Sequence, residues 1–211
     1  MRRIAVISLG LACVATNARA QTRLREYRGE VILSAPFVAG VDFKVLLDER
    51  LDMSTQAPNE VIVGVGLQSP QFHRASAAVE VRHVKALNGA IEHRYVPTLY
   101  TNFALPGGFD LRNRDRLELR AANGGWSRRY INRSAIGHDV SVGDRAVFPY
   151  VQSDLYYDTR VGYVNRRDWT VGVRAPLTSG ASIDPFLTRS SDTSRVPHLG
   201  FTAGAVLRVA L

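Results

Sequence analysis

The stretch that most constrains the fold is residues 109–137, which read FDLRNRDRLELRA, then ANGG, then WSRRYINRSAIG. Every second residue of the first arm is charged: Asp110, Arg112, Arg114, Arg116, Glu118 and Arg120. The intervening set is Phe109, Leu111, Asn113, Asp115, Leu117, Leu119 and Ala121, apolar at both ends with Asn113 and Asp115 between. A period of two puts the sets on opposite faces of a pleated strand, whereas a helix would spread the charges around its whole surface. Asn123-Gly124-Gly125 predicts a tight hairpin turn, because these residues tolerate positive φ. The returning arm is also polar on one face, with Arg128, Tyr130, Asn132 and Ser134. A strand with one wholly charged face needs water or counter-charges on that side. A soluble sandwich supplies water outside; a membrane barrel supplies a polar lumen inside and lipid outside.

The beginning of the chain bears on that choice. Met1-Arg2-Arg3, the apolar run 4–15 and Ala18-Arg19-Ala20 read as a secretory signal peptide over residues 1–20, with residues 21–211 as one exported domain. The run is shorter than the roughly 20 apolar residues a membrane-spanning helix needs. Cys13 is the only cysteine, so the exported part has no thiol and no disulfide. The formal net charge is +8, and only Lys44 and Lys85 are lysine, so the excess is arginine. Export and the lack of a zinc-finger, helix-turn-helix or RNA-binding motif argue against a nucleic-acid partner. Arginine-lined walls or contact with outer-membrane lipid and lipopolysaccharide fit better, since the planar guanidinium pairs with carboxylates and phosphates.

Alternation recurs along the chain. In residues 41–53, Val41, Phe43, Val45, Leu47 and Leu51 oppose Asp42, Lys44, Asp48, Arg50 and Asp52, with Leu46 and Glu49 breaking the pattern. Residues 60–67 set four aliphatics against Glu60, Ile62, Gly64 and Gly66, and small inward glycines leave room for long side chains. Further strands are expected at 30–38, 74–84, 91–103, 146–158, 181–189 and 199–211, with 21–29 loose. Residues 160–174 carry a turn signal at Asn165-Arg166-Arg167-Asp168. No stretch reads as a helix and no βαβ alternation appears. The fold class expected is all-β, a single antiparallel up-and-down transmembrane barrel of about ten to twelve strands, with both ends on the periplasmic side. The last strand carries Phe201, Ala203, Ala205, Leu207, Val209 and Leu211 on one face, the kind of strand that barrel-assembly machinery reads in the outer membrane of Gram-negative cells. Tyr95, Trp126, Tyr150, Tyr163 and Trp169 near strand ends are compatible with interfacial girdles.

The segments LRNRDRLELR, SRRYINR, VFPYVQSDLYYD, WTVGVRAPL and SIDPFLTR together resemble a bacterial family of outer-membrane β-barrels with no assigned activity, domain of unknown function 2490. Arg114, Arg116 and Glu118 match its R-x-R-x-E strand. Pro149, Tyr150, Asp154, Tyr156, Tyr157 and Asp158 match its P-Y-x-x-x-E-x-F-Y-D strand, with aspartate at 154 in place of the usual glutamate. The resemblance covers about residues 90–211 and implies an outer-membrane location; it carries no substrate.

Catalytic patterns are sparse. His73, His83, His93, His138 and His198 show no metal-ligand spacing, so no metal or other cofactor is expected. Ser134, His138 and Asp139 are close in sequence, but positions i and i+4 on a strand lie about 13 Å apart. Ser194 and His198 form a weaker pair, and no G-x-S-x-G elbow occurs. Paired carboxylates such as Asp154 and Asp158 read as lumen counter-charges. The lumen-facing set expected is Arg50, Glu80, Arg82, Arg112, Arg114, Arg116, Glu118, Arg120, Tyr150, Asp154 and Tyr156. The function expected is a non-enzymatic outer-membrane barrel, either a narrow, anion-favouring, porin-like pore or a structural barrel. The alternatives are a Ser/His lipid-modifying enzyme of the outer membrane and a soluble periplasmic barrel with an apolar interior that binds a ligand.

Overall fold

A computed structural model describes residues 24–53, 57–86, 89–193 and 199–211. The segment read as a signal peptide, with Cys13, lies outside the described residues, as do Ser194 and His198. The period-two segments form strands throughout: β1 (Leu24–Val38), β2 (Val41–Asp52), β3 (Ala57–Gln68), β4 (Ala75–Ala86), β5 (Ile91–Ala104) and β6 (Phe109–Ala122). They continue as β7 (Gly125–His138), β8 (Val140–Val142), β9 (Arg145–Asp158), β10 (Tyr163–Thr178), β11 (Ala181–Asp192) and β12 (Leu199–Ala210). The short β8 extends the β7 register along β9 past Asp139: Gly137 faces Tyr150, and Val140 faces Val147.

Among the described residues, eleven strands and the β8 extension close into one barrel, the all-β architecture that the alternation predicts. Neighbouring strands are antiparallel except at closure, where β1 lies parallel to β12, with Tyr27 beside Ala203 and Ser34 beside Ala210. An odd number of strands in up-and-down order leaves the first and last pointing the same way. The start of β1 and the end of β12 therefore lie on opposite rims, not on one side as expected. We call these the amino rim and the carboxyl rim.

Three local features shape the wall. The Asn123-Gly124 turn has φ of 50° and 77°, the left-handed pair that a two-residue hairpin requires. β1 begins at Leu24, inside the stretch expected to be loose, because β2 and β12 flank it on both sides. The turn signal at 165–168 lies within β10, where the register shifts between Val164 and Arg166. The extra residue is absorbed as a β-bulge, and Arg166 and Asp168 then continue the strand.

The two faces have opposite chemistry. Leu47, Val63, Val65, Val79, Val81, Leu99, Val151 and Leu155 are exposed on the outside. Asp48, Arg82, Arg94, Glu118, Arg120, Asp154, Asp158, Asp168 and Asp184 are buried within. One patch of the inner wall is apolar, where Leu46, Ile62 and Val84 cluster with Ile32. The inward glycines serve the long side chains beside them: a Cβ on Gly66 would come within 2.6 Å of Glu80 Cγ. Exposed aromatics divide by rim among the described residues. Tyr27, Tyr95, Trp126, Tyr130, Tyr157, Tyr163 and Trp169 lie in the amino half, and Phe37, Phe43, Phe72, Phe103 and Phe109 at the carboxyl rim.

Candidate functional site

Among the described residues the interior encloses a polar cavity of about 730 Å³. Arg50, Arg82, Arg112, Arg114, Arg116, Glu118, Arg120, Tyr150, Asp154 and Tyr156 line it. Glu80 sits one layer back, hydrogen-bonded by Arg82. All these side chains share the inner face because each occupies the same parity on its strand, and successive strands are paired in register.

In the amino half the charges form a continuous ion-pair girdle across strands. Arg28 bridges Glu30 and Asp48 at 2.8 Å each. Arg50 continues from Asp48 at 3.5 Å to Glu60 at 2.8 Å, and Glu60 meets Arg94 at 2.8 Å. Arg94 pairs with Glu92, which receives Arg120 at 2.7 Å, and Arg120 reaches Asp158 at 3.5 Å. Asp158 also accepts Arg129 at 2.9 Å and Arg160 at 2.6 Å. In the rim turn, the hydrogen bond to Asp158 holds the Arg160 guanidinium above its ordinary pKa. Buried ions tolerate desolvation only when paired and hydrogen-bonded, which this chain of contacts provides.

The pairs elsewhere are discrete. Arg116 meets Glu118 at 3.0 Å, and Arg166 meets Asp168 at 2.7 Å with its guanidinium carbon 5.0 Å from the Tyr156 ring centre. Asp154 accepts Arg133 Nε at 2.6 Å and Gln152 Nε2 at 2.8 Å. Near the carboxyl rim one carboxylate serves three groups: Asp184 accepts the Tyr150 hydroxyl at 2.8 Å and pairs with Arg174 at 3.4 Å and Arg208 at 3.5 Å. Arg112 stacks 3.9 Å from the Phe148 ring centre.

Arg114 differs from all of these. It faces the cavity between Arg116 and Arg133, and among the described residues no carboxylate pairs with it and its Nε has no partner. Arg174 Nε and Arg208 Nη1 are also buried without a partner. The cavity lining thus carries more cations than carboxylates, with the surplus from mid-barrel towards the carboxyl rim. Such a wall attracts small anions, and unpaired guanidinium N–H groups are ready donors to them.

The sequence reading missed the network's full membership, including Arg28, Glu30, Asp48, Glu92 and Arg94. A signal was present: an acid and an arginine two residues apart recur as Arg28/Glu30, Asp48/Arg50, Glu80/Arg82, Glu92/Arg94, Arg116/Glu118 and Arg166/Asp168. Two apart on a strand means side by side on one face. The polar face of β7 points outward. Arg128, Tyr130, Asn132 and Ser134 pair with Leu119, Leu117, Asp115 and Asn113, so they stand outside, opposite the arginine face of β6.

Ser134 and His138 do not meet. Ser134 Oγ donates to Asn113 Oδ1 at 2.9 Å, while His138 Nδ1 lies 2.8 Å from the Gly108 carbonyl oxygen. His83 and His93 meet on the outer wall with ring centres 5.0 Å apart and planes tilted by 58°. Among the described residues no three His, Cys, Asp or Glu side chains group as metal ligands. Compared with known families and with curated proteins, the chain matches none.

Proposed function

We propose that this chain is a small non-enzymatic outer-membrane barrel whose arginine-lined lumen admits or holds small anions. The observation that carries the reading is the inverted distribution of chemistry, with aliphatic side chains outside and charges within. Burying the charged face spares about 2–4 kcal/mol for each Arg or Lys that would otherwise meet the bilayer mid-plane. A soluble ligand-binding barrel calls for the reverse arrangement. Unpaired Arg114 supports the anion preference. The resemblance to domain of unknown function 2490 points the same way, and its R-x-R-x-E strand is the one carrying Arg114. The exposed Arg128, Arg167, Arg189 and Lys85 of the amino half, beside its tyrosines and tryptophans, suit the anionic headgroup level of lipid or lipopolysaccharide.

Fractionation tests the location. The protein is expected to stay in alkaline-washed outer membranes and to migrate differently boiled and unboiled; release with the periplasm and no shift sinks the membrane reading. Reversal potentials in planar bilayers then test the lumen. Anion preference is expected, with a shift towards cations on Arg114→Glu; equal selectivity in both proteins overturns the role of Arg114.

A further inference from the structure

The outer wall carries one polar island at mid-height. Asp115 lies midway along β6 and faces Asn132 midway along β7; Asn113 faces Ser134 beside them. The five side chains form a closed set. Asp115 accepts the Tyr130 hydroxyl, Asn132 Nδ2 at 2.8 Å and Asn113 Nδ2 at 2.8 Å. Asn113 Oδ1 accepts Ser134 Oγ at 2.9 Å and Asn132 Nδ2 at 3.2 Å. Thr101 and Ser153 flank the island across the neighbouring ladders, and aliphatic residues stand beside them at Leu99, Leu117, Leu155 and Ile136. Other outward charges sit away from mid-height, at Glu49, Lys85, Arg128, Arg167 and Arg189 in the amino half and at Arg145 on the carboxyl rim.

Hydrocarbon offers a carboxylate and two amides no hydrogen-bond partner, so a polar island at this depth marks a surface covered by protein. We infer that the β6–β7 face is the contact between two copies of this chain, related by a two-fold axis parallel to the barrel axis. The inference rests on the membrane reading above. The occupant follows from depth and chemistry. Two barrels inserted the same way carry their islands at the same depth. An isologous contact sets a patch against itself, and asparagine and serine side chains both donate and accept. The Asp115 charge is capped by three donors of its own chain, which leaves Asn132 Oδ1, the second N–H of Asn113 Nδ2 and the accepting side of Ser134 Oγ to bridge the copies. A polar centre within an aliphatic ring then fixes the register of the pair, as a single buried polar residue does in other apolar interfaces.

Thiol cross-linking in native membranes tests this, because the chain has no cysteine beyond Cys13. Ser134→Cys is expected to give a disulfide-linked band of twice the monomer mass on mild oxidation. Ala205→Cys, outward on β12 on the far wall, is expected to give none. Light scattering of the detergent-solubilised protein should read two chains. It should read one for the triple variant Asn113→Leu/Asp115→Leu/Asn132→Leu, with heat-modifiability showing that the variant still folds. If the protein stays in washed membranes but Ser134→Cys cross-links no more than Ala205→Cys, or links to a chain of different mass, the self-contact is wrong while the membrane reading stands. If the protein washes out of membranes, the membrane reading fails first and this inference falls with it.

Discussion

Arg114 and Arg133 face each other across the β6–β7 ladder, yet only Arg133 holds a carboxylate, with its Nε 2.6 Å from Asp154 Oδ1. The two arginines share a face, a layer and a neighbour, but their removal should have opposite consequences. Arg133→Leu strands the buried Asp154 carboxylate with Gln152 alone, and should cost about 3–5 kcal/mol. Arg114→Leu removes a cation that forms no ion pair and feels Asp154 only beyond pairing distance, that carboxylate being held by Arg133, and should leave stability unchanged or raise it. Urea unfolding of the reconstituted protein reads both. Equal destabilisation by the two variants would mean that Arg114 has a counter-charge after all.

The outer belt makes a depth-dependent prediction. Val63→Arg places a cation outward near the middle of β3. In a bilayer it should cost about 2–4 kcal/mol, because the charge meets hydrocarbon. Folding equilibria in lipid vesicles check this; a change within experimental error would put that wall in water.

A close approach sets a third. Gly172 lies opposite Tyr150, and a Cβ there would stand 2.5 Å from the Tyr150 hydroxyl oxygen, which also donates to Asp184. Gly172→Ala must displace the ring and loosen that hydrogen bond, at a cost of about 1–3 kcal/mol. Combining it with Tyr150→Leu should recover part of the loss, as neighbouring substitutions are not additive. A double-mutant cycle in urea measures the coupling, and strict additivity counts against the clash.

The turn between β1 and β2 holds a fourth. Ala39 has φ of 49°, in the left-handed region that a Cβ disfavours, ahead of Gly40 at 77°. Ala39→Gly relieves that strain and should stabilise the barrel by about 1 kcal/mol. Refolding yield and urea midpoint should both rise; a fall in the midpoint would show that Ala39 is unstrained.

Local chemistry was legible in the sequence; long-range chemistry was not. The β6–β7 hairpin could be read directly because the charged parity and Asn123-Gly124 both act over a few residues. The inward parity of Arg112, Arg114, Arg116, Glu118 and Arg120 followed from the same alternation. Asn165-Arg166-Arg167-Asp168 misled because bulges and turns favour the same polar residues, and only the flanking ladders tell them apart. Ile62 and Leu46 stand on the inner wall against the polar rule because they pack on each other and on Val84, residues from three strands that only register brings together. The outer polar island was half visible as Asn113 and Asp115. Its other half, on β7, needed the cross-strand pairing to show that both polar faces lie on one side of the sheet.

The parallel seam between β1 and β12 has a kinetic meaning. Every other ladder of the barrel joins strands that follow one another in the chain, apart from the short β8, whereas the seam sets Tyr27 beside Ala203. Hairpins can therefore accumulate one after another at small entropic cost, while the final union waits on a search across nearly the whole chain. Until that union the sheet is an open ribbon with two raw edges, and raw edges recruit other strands. The vulnerable moment in this protein's life is the interval before β1 finds β12, and lesions on those two strands should lower the yield of folded barrel far more than they weaken the barrel once it is made.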